Sequence, residues 1–151
     1  MKKKTFIYIG FVCIVVLIIS VLIFREKVMI SIHPDEIVSA EIYSEGIRKN
    51  EVQVMAVTRK PDVAEVIEHL SEIKPSDHSL SLDGNYIILF NKTDGTRLIY
   101  SYANGIVTTS NGFKGRTNDD NIINRLWAKL DYPVRNLTEK ETSSLNGLIA
   151  K

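Results

Sequence analysis

The chain has 151 residues, with 19 Lys and Arg against 18 Asp and Glu, a formal charge of +1 and 44% hydrophobic residues. That near-balance excludes a strongly basic nucleic-acid binder, because phosphate recognition needs a clustered cationic surface that displaces counterions. The apolar share excludes a wholly disordered polypeptide, and the single cysteine, Cys13, excludes an internal disulfide framework.

In chain order the first element is the run from Phe6 to Phe24, nineteen residues without a charge, preceded by Lys2, Lys3 and Lys4. A helix of that length is about 28 Å long at 1.5 Å per residue. The hydrocarbon core of a bilayer is about 30 Å thick, so the run predicts a transmembrane helix over 6–24 behind a cytoplasmic basic flank, 1–5. The run ends at Arg25-Glu26-Lys27 without a small-x-small cleavage site, so retention is expected rather than signal cleavage. Phe11 and Val12 precede Cys13 where a lipid-modification site needs small residues, which makes it a buried thiol in this reading. The lysines before the span place the amino terminus in the cytoplasm and the remainder outside it. The expected location is therefore the cell membrane, single-pass, with the lipid bilayer as one partner and an extracytoplasmic domain over 28–132.

Without Lys2 to Lys4 the chain carries sixteen basic residues against eighteen acidic, a balance of about −2. Residues 28–32 and 36–43 are β-branched, and Val38, Ala40 and Ile42 alternate with Ser39 and Glu41, which predicts strands interrupted at His33-Pro34-Asp35. After Glu45-Gly46, Val52, Val54 and Ala56 alternate again to about Val57. The period then changes. Val63, Val66, Ile67, Leu70 and Ile73 follow the spacing of one helix face from Pro61 to Pro75. Strands are expected at 86–90, 96–102 and 106–110, joined through Thr93-Asp94-Gly95 and through Asn104-Gly105, a pair suited to a type I′ turn. A second amphipathic helix is expected from Thr117, capped through Asp120 and burying Ile122, Ile123, Leu126, Trp127 and Leu130, with Pro133 closing it. Residues 133–151 read as a tail in which Thr138 to Ala150 forms a short helix with Leu145, Leu148 and Ile149 inward. The order β-β-α-β-β-β-α predicts an α+β fold, an antiparallel sheet with two amphipathic helices sharing one face.

The chemistry-bearing residues are sparse. His33 with Asp35 and His78 with Asp77 offer an imidazole and a carboxylate near each other, the minimum for a metal-dependent hydrolase at the envelope, although both aspartates also suit turns. His69 falls on the polar side of the first soluble helix. Ser79, Ser81, Ser101 and Ser110 lack an activating neighbour, and no GxSxG, SxxK, GxGxxG or GxxxxGK[ST] run occurs, so no catalytic residue, metal site or cofactor is assigned and an enzyme is not expected. Asn91-Lys92-Thr93 and Asn136-Leu137-Thr138 match glycosylation sequons. The acidic row Asp62, Glu65, Glu68 and Glu72, the basic pairs Arg48-Lys49 and Arg59-Lys60, and the aromatic-basic group Phe113, Lys114 and Arg116 form the candidate partner surface, since separated charges steer encounters and set register. Phe113 is expected to tuck beneath the second helix, and Trp127 to be core.

A lysine-led anchor followed by a strand-helix-meander-helix module resembles small membrane-tethered domains of unknown function encoded by Gram-positive bacteria. The resemblance spans residues 28 to 132, implies a bacterial surface location, and carries over no catalytic residues. The expected function is an accessory, sensory or immunity-type module that binds a protein or peptide at the cell envelope. The alternatives are the hydrolase built on His33 and His78, and an assembly scaffold driven by the anchor, for which Gly10 alone gives no small-xxx-small seam.

Overall fold

The computed structural model describes residues 32–45, 51–76 and 85–149. They belong to one compact unit that begins at Ile32. A 3₁₀ turn over Pro34–Glu36 leads into β1 (Ile37–Glu45), β2 (Val52–Val57), α1 (Lys60–Ser71), β3 (Lys74–Pro75), β4 (Tyr86–Lys92), β5 (Arg97–Ala103), β6 (Ile106–Thr109), β7 (Lys114–Arg116), α2 (Ile122–Lys129), β8 (Val134–Asn136) and α3 (Glu139–Ile149).

The strands form one eight-stranded sheet in the order β3-β7-β6-β5-β4-β1-β2-β8. Every pairing is antiparallel. The order follows from two kinds of connection. Short turns keep β4, β5, β6 and β7 adjacent, and Asn104 and Gly105, at φ 48° and 78°, turn the chain between β5 and β6. Longer connections carry the chain between the two halves: α1 takes it from β2 to β3 at the far edge, and α2 brings it back to β8 at the other. Both edge strands are only two or three residues long, and Pro75 lies on one of them. Short edges and a proline limit pairing with a second chain.

Register assigns the two faces. Ala40 and Ile42 of β1 pair with Phe90 and Ile88 of β4, which pair in turn with Leu98 and Tyr100 of β5. Because successive residues point to opposite faces, these side chains share one face with Met55, Val57, Tyr102 and Val107. They bury against Val63, Val66, Ile67 and Leu70 of α1 and Ile122, Ile123 and Leu126 of α2. Aromatic rings thicken this layer: Phe90 meets Tyr100 edge-on with centroids 5.6 Å apart, and Tyr86 contacts both Tyr102 and Trp127. The Tyr102 hydroxyl donates to the Asp120 carbonyl at 2.7 Å, fixing the entry to α2.

The expected architecture needs correction in four respects. The sheet holds eight strands rather than five, because β3, β7 and β8 pair as short additional strands. Helices cover both faces of the sheet rather than one: α3, within the expected tail, lies on the face opposite α1 and α2, against Glu41, Tyr43 and Leu89. The α2 helix starts at Ile122 instead of Thr117, because the Thr117 hydroxyl accepts from the Asp119 amide and closes a turn rather than capping a helix. No helix among the described residues is long and apolar enough to cross a membrane. The expected transmembrane run over 6–24, most of the expected strand over 28–32, residues 77–84 and Arg48-Lys49 lie outside the described residues.

Candidate functional site

The acidic row predicted on α1 is divided by the fold. Asp62 is tied down: the Tyr132 hydroxyl and Arg59 Nε each donate to its Oδ2 at 2.6 Å. Those donors, Tyr132 first, hold its carboxyl below the ordinary carboxylate range. Arg59 also stacks over the Tyr132 ring, 5.1 Å from its centroid. Glu65 turns toward α2, where Lys129 Nζ donates to it at 2.5 Å and His69 Nε2 lies 3.7 Å away. Glu68 and Glu72 remain exposed. Half of the row therefore ties α1 to Arg59 before it, to α2 and to Tyr132 beyond α2.

The aromatic-basic group does not join that row. Gly115 of β7 pairs with Val107 and shares the helix-covered face, so Lys114 and Arg116 on either side of it project from the opposite face of the sheet. Phe113 is half-buried beside Gly115 and Ile73, near the end of α1. Trp127 is half-buried against Tyr86. His33 precedes the 3₁₀ turn, is exposed together with Asp35, and makes no side-chain cap; His78 and Asp77 lie outside the described residues. Among the described residues no three His, Cys, Asp or Glu side chains are grouped as metal ligands would be.

Two grooves are shaped by the helices. The first, about 490 Å³, lies between α1 and α2 and is lined by Glu65, His69, Ile122, Arg125, Leu126 and Lys129. Its charges are mutually satisfied. Lys129 holds Glu65, and Arg125 holds Asp119, whose carboxyl is pushed below its ordinary range chiefly by that guanidinium. His69 Nδ1 is buried without a hydrogen-bond partner among the described residues.

The second groove, about 480 Å³, lies between α3 and the other face of the sheet, and its contents are different in kind. Leu89 of β4 with Leu137, Leu145 and Leu148 supply apolar walls. Leu145 is 5% exposed and pins α3 to the sheet, whereas Leu148 is 38% exposed. The groove's two carboxylates are already engaged. Tyr43 Oη donates to Glu41 in a short hydrogen bond, and Asn91 Nδ2 donates to the other Glu41 oxygen at 3.2 Å and to Ser39 Oγ at 3.1 Å. Burial first, and the adjoining Glu41 carboxylate second, push the Tyr43 phenol far above its ordinary range, so it remains a donor. Glu141 is held by Arg135 at 3.0 Å and accepts from the Thr138 amide and hydroxyl, each at 2.9 Å. Arg135 leads these causes, which lower its carboxyl to about 2. The Glu141 amide donates back to Thr138 Oγ1 at 3.3 Å, completing a capping box that starts α3.

With those pairings made, Arg97 and Lys140 have no ion pair or side-chain hydrogen bond among the described residues. The groove thus presents leucines beside two uncommitted cations. Such a surface can take an apolar side chain and fix its register through charge.

Sequence reasoning passed over this site. Its one readable signal was Thr138-x-x-Glu141, a capping-box spacing that marks a helix start. Glu41, Tyr43, Leu89 and Arg97 come together only through the β1-β4-β5 register, which a single sequence does not reveal. Comparison of the chain with protein-family models, curated proteins and solved structures gave no match.

Proposed function

We propose that the domain is a binding module for a protein or peptide partner at the cell envelope, and that the groove between α3 and the sheet receives that partner. The observation that carries the reading is the combination of an apolar-walled groove of about 480 Å³ with Arg97 and Lys140 uncommitted at its side. Ligand sites are concave and mostly apolar, with few polar groups that fix orientation. The groove fits that description better than the α1-α2 groove, where Lys129 and Arg125 are both consumed by internal pairs. The envelope location is supported by the hydropathy of residues 6–24 and the lysines before them.

The test is site-directed photo-crosslinking in the full chain, in cells that make it. A photoreactive residue replacing Leu148 in the groove should give discrete protein adducts, and the same residue replacing the exposed Glu68 on α1 should not. Adducts from position 68 alone would move the binding surface to the opposite side of the sheet and overturn this assignment.

A further inference from the structure

We infer that the occupant of the α3 groove is a short peptide segment carrying a carboxylate beside an apolar side chain, with the carboxylate seated on Arg97 and Lys140. The inference rests on the groove being the binding surface, and it names the chemistry of what binds there.

The charges lining the groove do not balance. Its lining holds Arg97, Arg135 and Lys140 against Glu41 and Glu141. Arg135 is committed to Glu141, and Glu41 receives its hydrogen bonds from Tyr43 and Asn91. Glu141 offsets Arg135, whereas Glu41 keeps its charge because its donors are neutral; the lining is thus one positive charge in surplus, and the cations without an ion pair are Arg97 and Lys140. A guanidinium presents several donors in a fixed fork that matches a carboxylate, so an acidic side chain or a chain terminus is the complementary group. The apolar half of the same groove, Leu89, Leu137, Leu145 and Leu148, takes the neighbouring aliphatic or aromatic side chain.

An anionic lipid surface also offers negative charge, but it fits less well. A bilayer presents a plane of like charges, and the Glu41 and Glu141 carboxylates in this groove would face it with the same sign. A segment with both polar and apolar groups at set spacing suits a lining of mixed sign, where charges of each kind set register and reject wrong partners.

The experiment uses the full chain in detergent micelles and three fluorescein-labelled synthetic peptides read by anisotropy. The peptides share one pattern of leucine and phenylalanine and carry glutamate, glutamine or lysine at the same two polar positions. The glutamate peptide should bind tightest, and Arg97→Gln should weaken it about tenfold while leaving the glutamine peptide within about twofold. Lys140→Gln, at an exposed position of α3, supplies an independent variant and should act in the same direction. Equal binding of the lysine peptide, or an Arg97→Gln protein that holds the glutamate peptide unchanged, would overturn the carboxylate inference and leave the groove as a binding surface. Binding of no peptide would overturn both readings, and selective binding of phosphatidylglycerol vesicles in that case would replace the peptide by a membrane surface.

Discussion

Replacing Leu145 by alanine should release α3 locally without unfolding the rest of the domain. Leu145 is the buried side chain of α3 among the described residues, at 5% exposure, while Ser144 and Leu148 beside it are exposed. Core leucine-to-alanine changes cost roughly 2–5 kcal/mol, the upper values arising where the surroundings cannot relax. A terminal helix on one face of a sheet can lift away, so the expected loss is near the lower end, about 2 kcal/mol. At about 1.4 kcal/mol per tenfold, that raises the open population of α3 by roughly 30-fold. An isolated helix of 11 residues is marginal in water, so α3 has little stability of its own once detached. Hydrogen exchange followed by mass spectrometry should show peptides over 139–149 exchanging faster, with α1 peptides unchanged. Leu126→Ala, at 2% exposure between α2 and the sheet, should instead lower the melting temperature of the whole domain. The reasoning fails if Leu145→Ala leaves exchange in α3 unaltered, or if it weakens α1 as much as α3.

Gly115→Ala should destabilise, because the added Cβ would sit 2.5 Å from Ile73 Cγ2 and 2.8 Å from the Lys74 carbonyl oxygen, and the carbonyl belongs to a paired strand. Overpacking of that kind typically costs about 1–3 kcal/mol, readable by thermal unfolding. Gly147→Ala, whose new carbon meets nothing within 4 Å beyond the adjoining backbone of its own helix and its chain neighbours, should stabilise α3 by up to about 1 kcal/mol and raise the melting temperature slightly. Acid titration should reveal Glu141: its folded value of about 2 lies below the ordinary 4.5, so the unfolded chain binds the extra proton first. Its contribution is complete above about pH 4.5 and is lost as pH falls toward 2, and Glu141→Gln should flatten that part of the stability curve. Tyr132→Phe removes a donor from Asp62, and the Asp62 carboxyl, followed by NMR, should then titrate at higher pH than in the parent protein.

Much of the scaffold was legible from periodicity and punctuation. Alternation located β1 and β2, turn punctuation located β4 to β6, and the 3, 4, 7 spacing located the buried faces of α1 and α2, although in β2 it is Met55 and Val57, not the alternating Val52, Val54 and Ala56, that face those helices. The strands β3, β7 and β8 were illegible, since two or three residues carry no period and their sequences, Lys74-Pro75, Lys114-Gly115-Arg116 and Val134-Arg135-Asn136, include proline, glycine and charge. The position of α3 was hidden for a related reason: only Leu145 is buried among its described side chains, so its apolar stripe is too thin to say which face of the sheet it covers. The site fared worst. Acidic residues on α1 read as a docking row, yet Asp62 and Glu65 serve the fold through Tyr132, Arg59 and Lys129, partners distant in sequence. Glu41 reads as the polar side of a strand until the register sets Asn91 and Arg97 on its face and α3 closes over Leu89.

Hydrogen exchange of the full chain, with and without a saturating glutamate-bearing peptide, decides whether the groove under α3 is where the partner binds. Slower exchange is expected over 39–43 and 137–148, with no change over 60–73. Protection confined to 60–73, or spread evenly over the domain, would contradict that assignment.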